Sequence, residues 1–321
     1  MENSEKDLQW ERKILEKVAL SALTEQKAKR RWGVFFKFAF FAYLVAVLLM
    51  VGDWDWAGSG AEKPDSSKLT AVVNLRGVIE AKGDVSAEKI NGALQAAFSD
   101  KRTAGVILRI NSPGGSPVQS GIINDEILRQ RKLHPEIPLY VVVEDLCASG
   151  GYYIAASADK IFVDKASIVG SIGVLMDGFG FTGMMDKLGV ERRLMTAGEN
   201  KGFLDPFSPQ DEKQNEYARV LLGEIHQQFI DVVRKGRGDR LKETPEIFSG
   251  LMWTGSQSIA LGLADGYGTV DSVARDVIKV EKMVDFSVKE NIAERVAKRL
   301  GAEMGESLSF RLFGGSHAEM R

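Results

Sequence analysis

Two stretches of this sequence run from a short β-branched segment straight into a glycine-rich turn, and a helical pattern follows. The first stretch is Gly105–Ile110, followed by Asn-Ser-Pro-Gly-Gly-Ser at Asn111–Ser116. The second is Leu139–Val143, followed after four residues by Ala-Ser-Gly-Gly at Ala148–Gly151. Short apolar runs of this kind are typical of buried strands. Because such strands alternate with helical patterns along most of the chain, the sequence predicts an α/β fold with largely parallel pairing.

Ser149 stands where the second of these strands ends and a helix begins. A serine there can expose its hydroxyl, while the next backbone N–H faces the same space and the helix N-terminus favours an oxyanion. Gly150 and Gly151 would let a substrate backbone approach closely. The same pattern also fits an ordinary N-cap followed by a turn. From this stretch alone, a nucleophile and a cap are about equally supported.

Composition limits the chemistry that could accompany a reactive serine. The chain has 321 residues, a net charge of −2, three scattered histidines and one cysteine, Cys147. These features give no global basic field for nucleic acid, no disulfide framework and no metal-ligand spacing. Three scattered histidines give little support for a Ser-His-Asp triad. A lysine with a lowered pKa is the alternative group that could activate the serine. Lys201 lies in a loop with apolar neighbours, although on the sequence alone a solvated loop lysine is the commoner explanation.

The N-terminal part of the chain contains a nearly unbroken apolar run at Trp32–Val51, which is long enough to cross a bilayer as a helix. Basic residues precede the run, and Asp53 and Asp55 follow it. The positive-inside rule therefore predicts a single-pass membrane protein with its N-terminus in the cytoplasm. The rest of the chain would be periplasmic or extracellular.

The predicted organisation has five parts. A charged cytoplasmic segment covers 1–31 and a transmembrane signal anchor covers 32–51. A linker at 52–68 leads to one globular domain at 69–280, and a charge-mixed tail follows at 281–321. Within the globular domain, Val190–Met195 is one of the predicted strands.

A set of motifs in the globular domain resembles the signal peptide peptidase A (protease IV) family in its short, single-domain, membrane-anchored form. The order and spacing agree over roughly 69–279, and the combination is highly specific. The motifs are Asn-Ser-Pro-Gly-Gly-Ser, Ala-Ser-Gly-Gly-Tyr-Tyr-Ile-Ala, Gly-Ser-Ile-Gly-Val, a lysine before Pro-Phe, Trp253-Thr254-Gly255 and Gly262-Leu263-Ala264-Asp265. The resemblance implies a ClpP/crotonase-like fold with one N-terminal transmembrane helix, and a Ser-Lys catalytic dyad.

By position, the resemblance implies that Ser149 is the nucleophile and Lys201 the general base. Gly150, together with Gly114 or Gly115, would form the oxyanion hole, and Ser171 would orient the lysine. Many relatives have Tyr-Lys-Ser around the base, whereas this chain has Asn-Lys-Gly, and many have a basic residue where this chain has Met252. The first difference leaves Lys187 as a distant second choice for the base. We expect no metal and no other cofactor.

The expected activity is that of a membrane-anchored serine endopeptidase that degrades apolar peptides, such as remnant signal peptides. The resemblance implies a homo-oligomer, as a ring in which neighbouring subunits share sites. Its partners would be peptide substrates and membrane lipid, with no nucleic acid. Two alternatives remain at this stage: a crotonase-type acyl-CoA hydratase or isomerase, and a catalytically inactive membrane scaffold of the same fold.

Overall fold

The structure is a computed structural model, which describes residue 17 and residues 30–45 and 67–288. Residues 30–45 form a helix, α1. Within the described residues, no helix combines the length and the hydropathy needed to cross a bilayer. The predicted span at 32–51 lies partly outside them, as do most of the cytoplasmic segment, most of the linker and the tail beyond 288. The membrane anchor therefore stays a prediction.

Residues Ser66–Lys289 form one compact unit built on an eight-stranded sheet. The main path runs in the order β6-β5-β3-β2-β1-β8; β4 also pairs with β3, and β7 pairs with β4. All of these pairs are parallel except β5 with β6. The α/β prediction with largely parallel pairing is confirmed. The strands are β1 Leu69–Arg76, β2 Thr103–Ser112, β3 Leu139–Ala148, β4 Lys160–Val163, β5 Ile168–Gly170, β6 Met252–Thr254, β7 Gly266–Tyr267 and β8 Met283–Asp285.

Helices cover both faces of this sheet unequally. The main core packs the strands against helices that follow the first three strands, and Phe229 and Val233 of a long later helix complete it. A smaller cluster around Ile107 and Val142 lies under Val273 and Ala274. The helices are α2 Ala87–Ser99, α3 Pro117–Leu133, α4 Gly150–Ala155, α5 Thr182–Leu188, α6 Glu212–Arg237, α7 Gly255–Ala260 and α8 Val270–Ser272, which continues as a π-helix at Val273–Ile278.

The parallel register brings the two glycine-rich turns together. Strands β2 and β3 are adjacent, and their last paired residues are Ser112 and Cys147. Each strand then turns into its helix within a few residues, because Ser116 accepts the amide of Gln119 as the N-cap of α3 and Ser149 directly precedes α4. Both turns therefore lie at the same edge of the sheet, where the carboxyl ends of parallel strands meet.

Two features of the fold differ from the pattern read in the sequence. Val190–Met195 forms no strand, and the prediction was wrong there, since these residues are exposed and no neighbouring strand pairs with them. The sheet also continues beyond residue 280, because Met283–Asp285 pairs with β1 as an edge strand. Side-chain pattern and β-propensity do not by themselves supply a pairing partner, which is what decides whether such segments become strands.

A buried ion pair fastens α6 to the end of the sheet. The Arg237 side chain is fully buried and donates to both carboxylate oxygens of Asp265 at 2.9 Å, and also to the Gly262 carbonyl at 2.8 Å. Asp265 further accepts the Ile161 amide at 2.7 Å. Burial raises the pKa of Asp265, but the hydrogen bonds from Arg237 and Ile161 outweigh it and leave that pKa below its ordinary value.

Candidate active site

Ser149 has a backbone conformation that few residues other than glycine adopt. Its φ of 52° and ψ of −123° turn the chain sharply between β3 and α4. Its amide donates to the Gly170 carbonyl at 2.8 Å, and its carbonyl accepts the Tyr153 amide at 3.0 Å. Within the described residues its side chain makes no hydrogen bond to the start of the helix. A strained serine with a free hydroxyl favours a nucleophile over an N-cap.

The neighbouring turn has glycine at Gly114 and Gly115 because no side chain fits there. Both residues have positive φ angles, 99° and 146°. A Cβ at Gly114 would lie 2.7 Å from Ser149 Cβ, and one at Gly115 would lie 2.1 Å from the Ile79 carbonyl oxygen. Such distances exclude any substitution without movement of the backbone, so the two glycines allow the turn to pack directly against Ser149.

Gly150 and Gly115 both line the space beside Ser149, and each has a backbone amide that could act as a donor there. Gly150 is the first residue of α4, so its amide has no partner within the helix. The Gly114 amide donates to Ser112 Oγ at 3.1 Å. The Gly115 amide, in contrast, has no hydrogen-bond partner among the described residues, and it lies 3.4 Å from where a Cβ of Gly150 would be. Of the two alternatives open in the sequence, this geometry favours Gly115 as the second donor of an oxyanion hole.

Ser171 lies in a third turn, Gly170–Gly173, that abuts the same space. Like Ser149, it has a φ of 52°. Its amide donates to the Leu251 carbonyl at 2.8 Å, and the preceding Gly170 carbonyl receives the Ser149 amide. The resemblance implies that Ser171 orients the base, and its turn is held directly against the turn that carries the candidate nucleophile.

A cleft of about 490 Å³ opens between these turns and one face of α6. We call it the Ser149 cleft. Ser149, Gly150 and Ser171 belong to its lining, and most of the surface of the cleft is apolar. The residues that line it are Gly115, Pro117, Ser120, Ser149, Gly150, Tyr153, Ser171, Gly173, Val174, Leu175, Ile225, Gln228, Phe229, Ser249 and Gly250.

Lys201 is not among the residues that line this cleft. It is exposed in a turn in which its amide donates to the Gly198 carbonyl at 3.1 Å. Lys187, the second choice, is exposed at the end of α5. The structure of one chain thus brings together Ser149, Gly150, Gly114, Gly115 and Ser171, and leaves both lysines outside the group.

His226 contacts the turn that carries Ser171, although nothing in the sequence marks it for selection. One ring nitrogen, Nε2, lies 3.2 Å from the carbonyl oxygen of Ile172, the residue after Ser171. In the sequence it is one of three scattered histidines that form no metal-ligand spacing. No local motif marks a contact between residues 54 positions apart. The one cysteine of the chain, Cys147, is fully buried close to the site, and burial raises the pKa of its thiol, so it is a core residue.

Comparison with known proteins agrees with the motifs. The model of peptidase family S49 matches residues 131–285. A protein of Enterococcus faecium, described as a candidate signal peptide peptidase SppA, is 32% identical over 237 residues, which cover 71% of this chain and 68% of that protein. The chain belongs to peptidase family S49, and the resemblance to the signal peptide peptidase A family is confirmed.

A second relative shows that such a segment also occurs within a longer protein. A protein of Brucella abortus that carries the name Na(+)/H(+) antiporter NhaA is 46% identical over 209 residues, which are 64% of this chain. The chain spans 28% of the length of that relative. Among solved structures, a variant of ClpP1 from Listeria monocytogenes superposes with a TM-score of 0.39 at 15% identity, over 61% of this chain and 90% of the other.

Proposed function

We propose that this protein is a membrane-anchored serine endopeptidase that uses Ser149 as its nucleophile and Lys201 as its general base. Its substrates would be apolar peptides, including signal peptides left in the membrane after secretion. The observation that carries the proposal is the strained Ser149, whose hydroxyl makes no cap hydrogen bond. The same cleft is lined by Gly115, whose amide has no partner among the residues that the structure describes. A nucleophile and preorganised donors at one point are the requirements of acyl transfer.

In the proposed reaction, Ser149 Oγ attacks the carbonyl carbon of a peptide bond while neutral Lys201 accepts the hydroxyl proton. The amides of Gly150 and Gly115 stabilise the negative charge that develops on the carbonyl oxygen. The lysine then gives its proton to the leaving nitrogen, and the C–N bond breaks to leave an acyl-serine. Water, activated by the same lysine, releases the acid and restores Ser149.

The position of Lys201 supports a site that two subunits share. The lysine belongs to an exposed segment, 175–217, in which no residue is buried. This segment nevertheless displays large apolar side chains, among them Phe179 at 82% and Met195 at 95% exposure. Exposed apolar patches of this kind typically mark an interface. We infer a homo-oligomer, of ring form, in which Lys201 of one subunit reaches the Ser149 cleft of another.

The proposed location follows from the sequence of the N-terminal region. The apolar run at 32–51 would anchor the chain once in the bacterial inner membrane, with residues 1–31 in the cytoplasm. The ClpP/crotonase-like domain would then face the periplasm or the exterior, where exported peptides meet it. Protease added to intact spheroplasts should cleave the globular domain. Accessibility of residues 1–31 alone would mean the opposite orientation.

Subunit mixing tests the proposed dyad. Ser149→Ala and Lys201→Ala chains, each carrying a different tag, are expressed separately and together, and cleavage of an apolar fluorogenic peptide is measured. Each single variant should be inactive, because a serine without its base is a poor nucleophile. If the dyad forms between chains, mixed oligomers hold some sites with both residues intact and regain a fraction of the wild-type rate.

Three results would contradict parts of the proposal. Full activity of Ser149→Ala would reject the nucleophile, and with it the assignment of a serine peptidase. If tag pull-down confirms mixed oligomers and yet no activity returns, the dyad lies within one chain. Hydration of an acyl-CoA thioester by the wild type, with no peptide cleavage, would support the crotonase-type alternative.

A further inference from the structure

We propose that His226 is a positioning residue that fixes the Gly170–Gly173 turn, and with it Ser171, against the Ser149 cleft. The inference rests on the proposed function, since it concerns the alignment of the same site. It begins with a contact that α6 makes through a ring nitrogen: Nε2 of His226 lies 3.2 Å from the Ile172 carbonyl oxygen. A carbonyl only accepts hydrogen bonds, so this nitrogen must carry the proton.

The helix face that carries His226 is held firmly. Phe229, three residues further along, is buried, and its ring packs against Tyr153 of α4 with centroids 5.1 Å apart. Val233, one turn beyond, is also buried. Residues three and four apart share a helix face, so packing of Phe229 fixes the direction in which His226 points. The backbone that carries the imidazole is therefore held in a fixed position.

The turn that it contacts needs support from outside. Ser171 has a positive φ that costs energy for a residue with a Cβ, and Gly170 has a φ of 117°. Three hydrogen bonds tie the turn to three different parts of the fold. The Gly170 carbonyl accepts the Ser149 amide, the Ser171 amide donates to Leu251, and the Ile172 carbonyl accepts from His226.

The contact with His226 differs from the other two bonds because a side chain supplies it. Ile172 itself is fully buried, so its side chain anchors the turn in the core, whereas its carbonyl points toward α6. Without a donor there, that carbonyl loses its partner, and the strained residue before it can relax to another backbone conformation. Ser171 would then move relative to Ser149, and shifts of about 1 Å at such sites reduce turnover by about 100-fold.

A series of three substitutions tests this role. His226→Gln keeps an amide N–H near the position of Nε2, whereas His226→Asn places its amide near Nδ1, too short to reach the carbonyl, and His226→Ala has no donor. His134→Ala is the matched control. It removes an imidazole at the C-terminal end of α3, where the ring stacks on Phe98 at 5.8 Å between centroids.

The full-length oligomer of each variant is measured for kcat and KM on an apolar peptide, for the rate at which a fluorophosphonate labels Ser149, and for its melting temperature. We expect kcat and labelling to fall about 10- to 100-fold for His226→Ala and His226→Asn, while KM changes less than about twofold. His226→Gln should recover to within about threefold of wild type, and His134→Ala should match wild type in kcat.

Two outcomes would overturn the inference. If His226→Ala keeps the wild-type kcat and labelling rate, the hydrogen bond does not position the site. If His226→Gln is as impaired as His226→Asn, the donated hydrogen bond is not the cause. The Gln and Asn comparison stands even if the alanine variant fails to fold. If the proposed function itself were wrong, the result would differ: Ser149→Ala would retain activity, whatever the effect of the substitutions at His226.

Discussion

The region around Ser149 and the 175–217 segment around Lys201 are built in opposite ways. In the first, β3, its turn and α4 are largely buried, and hydrogen bonds from several elements hold every turn. In the second, no residue is buried, and the contacts are mostly between its own residues, such as the stacked rings of Phe181 and Phe207. One half of the proposed dyad is therefore fixed by the fold, while the other half is presented outward.

The contrast implies that folding of one chain and assembly of the site are separable. Burial and hydrogen bonding within the chain suffice to strain Ser149 and align the Gly115 amide. Within the part of the chain that the structure describes, no comparable contacts fix the Lys201 side chain, and its loop would gain its surroundings from a second copy. Substitutions in the first region should thus affect stability and activity together, and substitutions in the second should affect activity or assembly with stability unchanged.

Removal of the base should give the largest effect. Lys201→Ala should reduce kcat/KM by about 10²- to 10⁴-fold, the range for loss of general base catalysis. The side chain is exposed, and among the described residues Lys201 makes only a turn hydrogen bond through its backbone, so the melting temperature should be unchanged. Lys187→Ala, another exposed lysine of the same segment, is the control. If Lys187→Ala lost activity while Lys201→Ala stayed active, Lys187 and not Lys201 would be the general base.

A substitution in the Ser149 region should impair folding as well as catalysis. In Gly115→Ala, the new Cβ would lie 2.1 Å from the Ile79 carbonyl oxygen, at a φ of 146°. We expect a loss of about 3 kcal/mol in the free energy of unfolding, measured by urea denaturation, together with loss of peptide cleavage. Gly121→Ala is the control, since open space surrounds Gly121 within α3 and alanine should stabilise that helix slightly. Equal stability of the two variants would show that the turn is not rigid.

The sequence reveals these two regions to different degrees. Strand-to-helix turns could be found from β-branched runs and glycines, because each signal is local and the parallel register then joins them. The strand predicted at Val190–Met195 was wrong, since a pairing partner is a long-range property. The contact of His226 with Ile172 likewise depends on where α6 packs. The role of Lys201 came only from the family motif, and one chain offers no geometry that tests it.

The ion pair that fastens α6 should give a smaller, pH-dependent effect. The folded-state pKa of Asp265 is lowered, so its contribution to stability is present above the unfolded pKa of about 3.9 and is lost as the pH falls through the folded value. Asp265→Asn should cost about 2 kcal/mol at pH 7, and the difference from wild type should shrink below about pH 4. Asp239→Asn, at an exposed carboxylate nearby, is the control. If the difference in stability between Asp265→Asn and wild type did not depend on pH, the loss would come from packing and not from the carboxylate charge.

The smallest effect on folding should come from the apolar surface of the 175–217 segment, where assembly is the informative measurement. Phe179 is 82% exposed, so Phe179→Ser should change the free energy of unfolding of the isolated subunit by less than about 0.5 kcal/mol. If the segment forms the subunit interface, the same substitution removes a buried ring from each contact and shifts the oligomer toward smaller species. Sedimentation velocity of the full-length protein in detergent measures that shift.

Leu133→Ser is the control for this prediction. Its side chain is 58% exposed at the end of α3, so the substitution removes a similar apolar group elsewhere and should leave the assembly intact. An unchanged oligomer in Phe179→Ser, or equal dissociation in both variants, would argue that this segment does not join the subunits, and the site would then have to be completed within one chain.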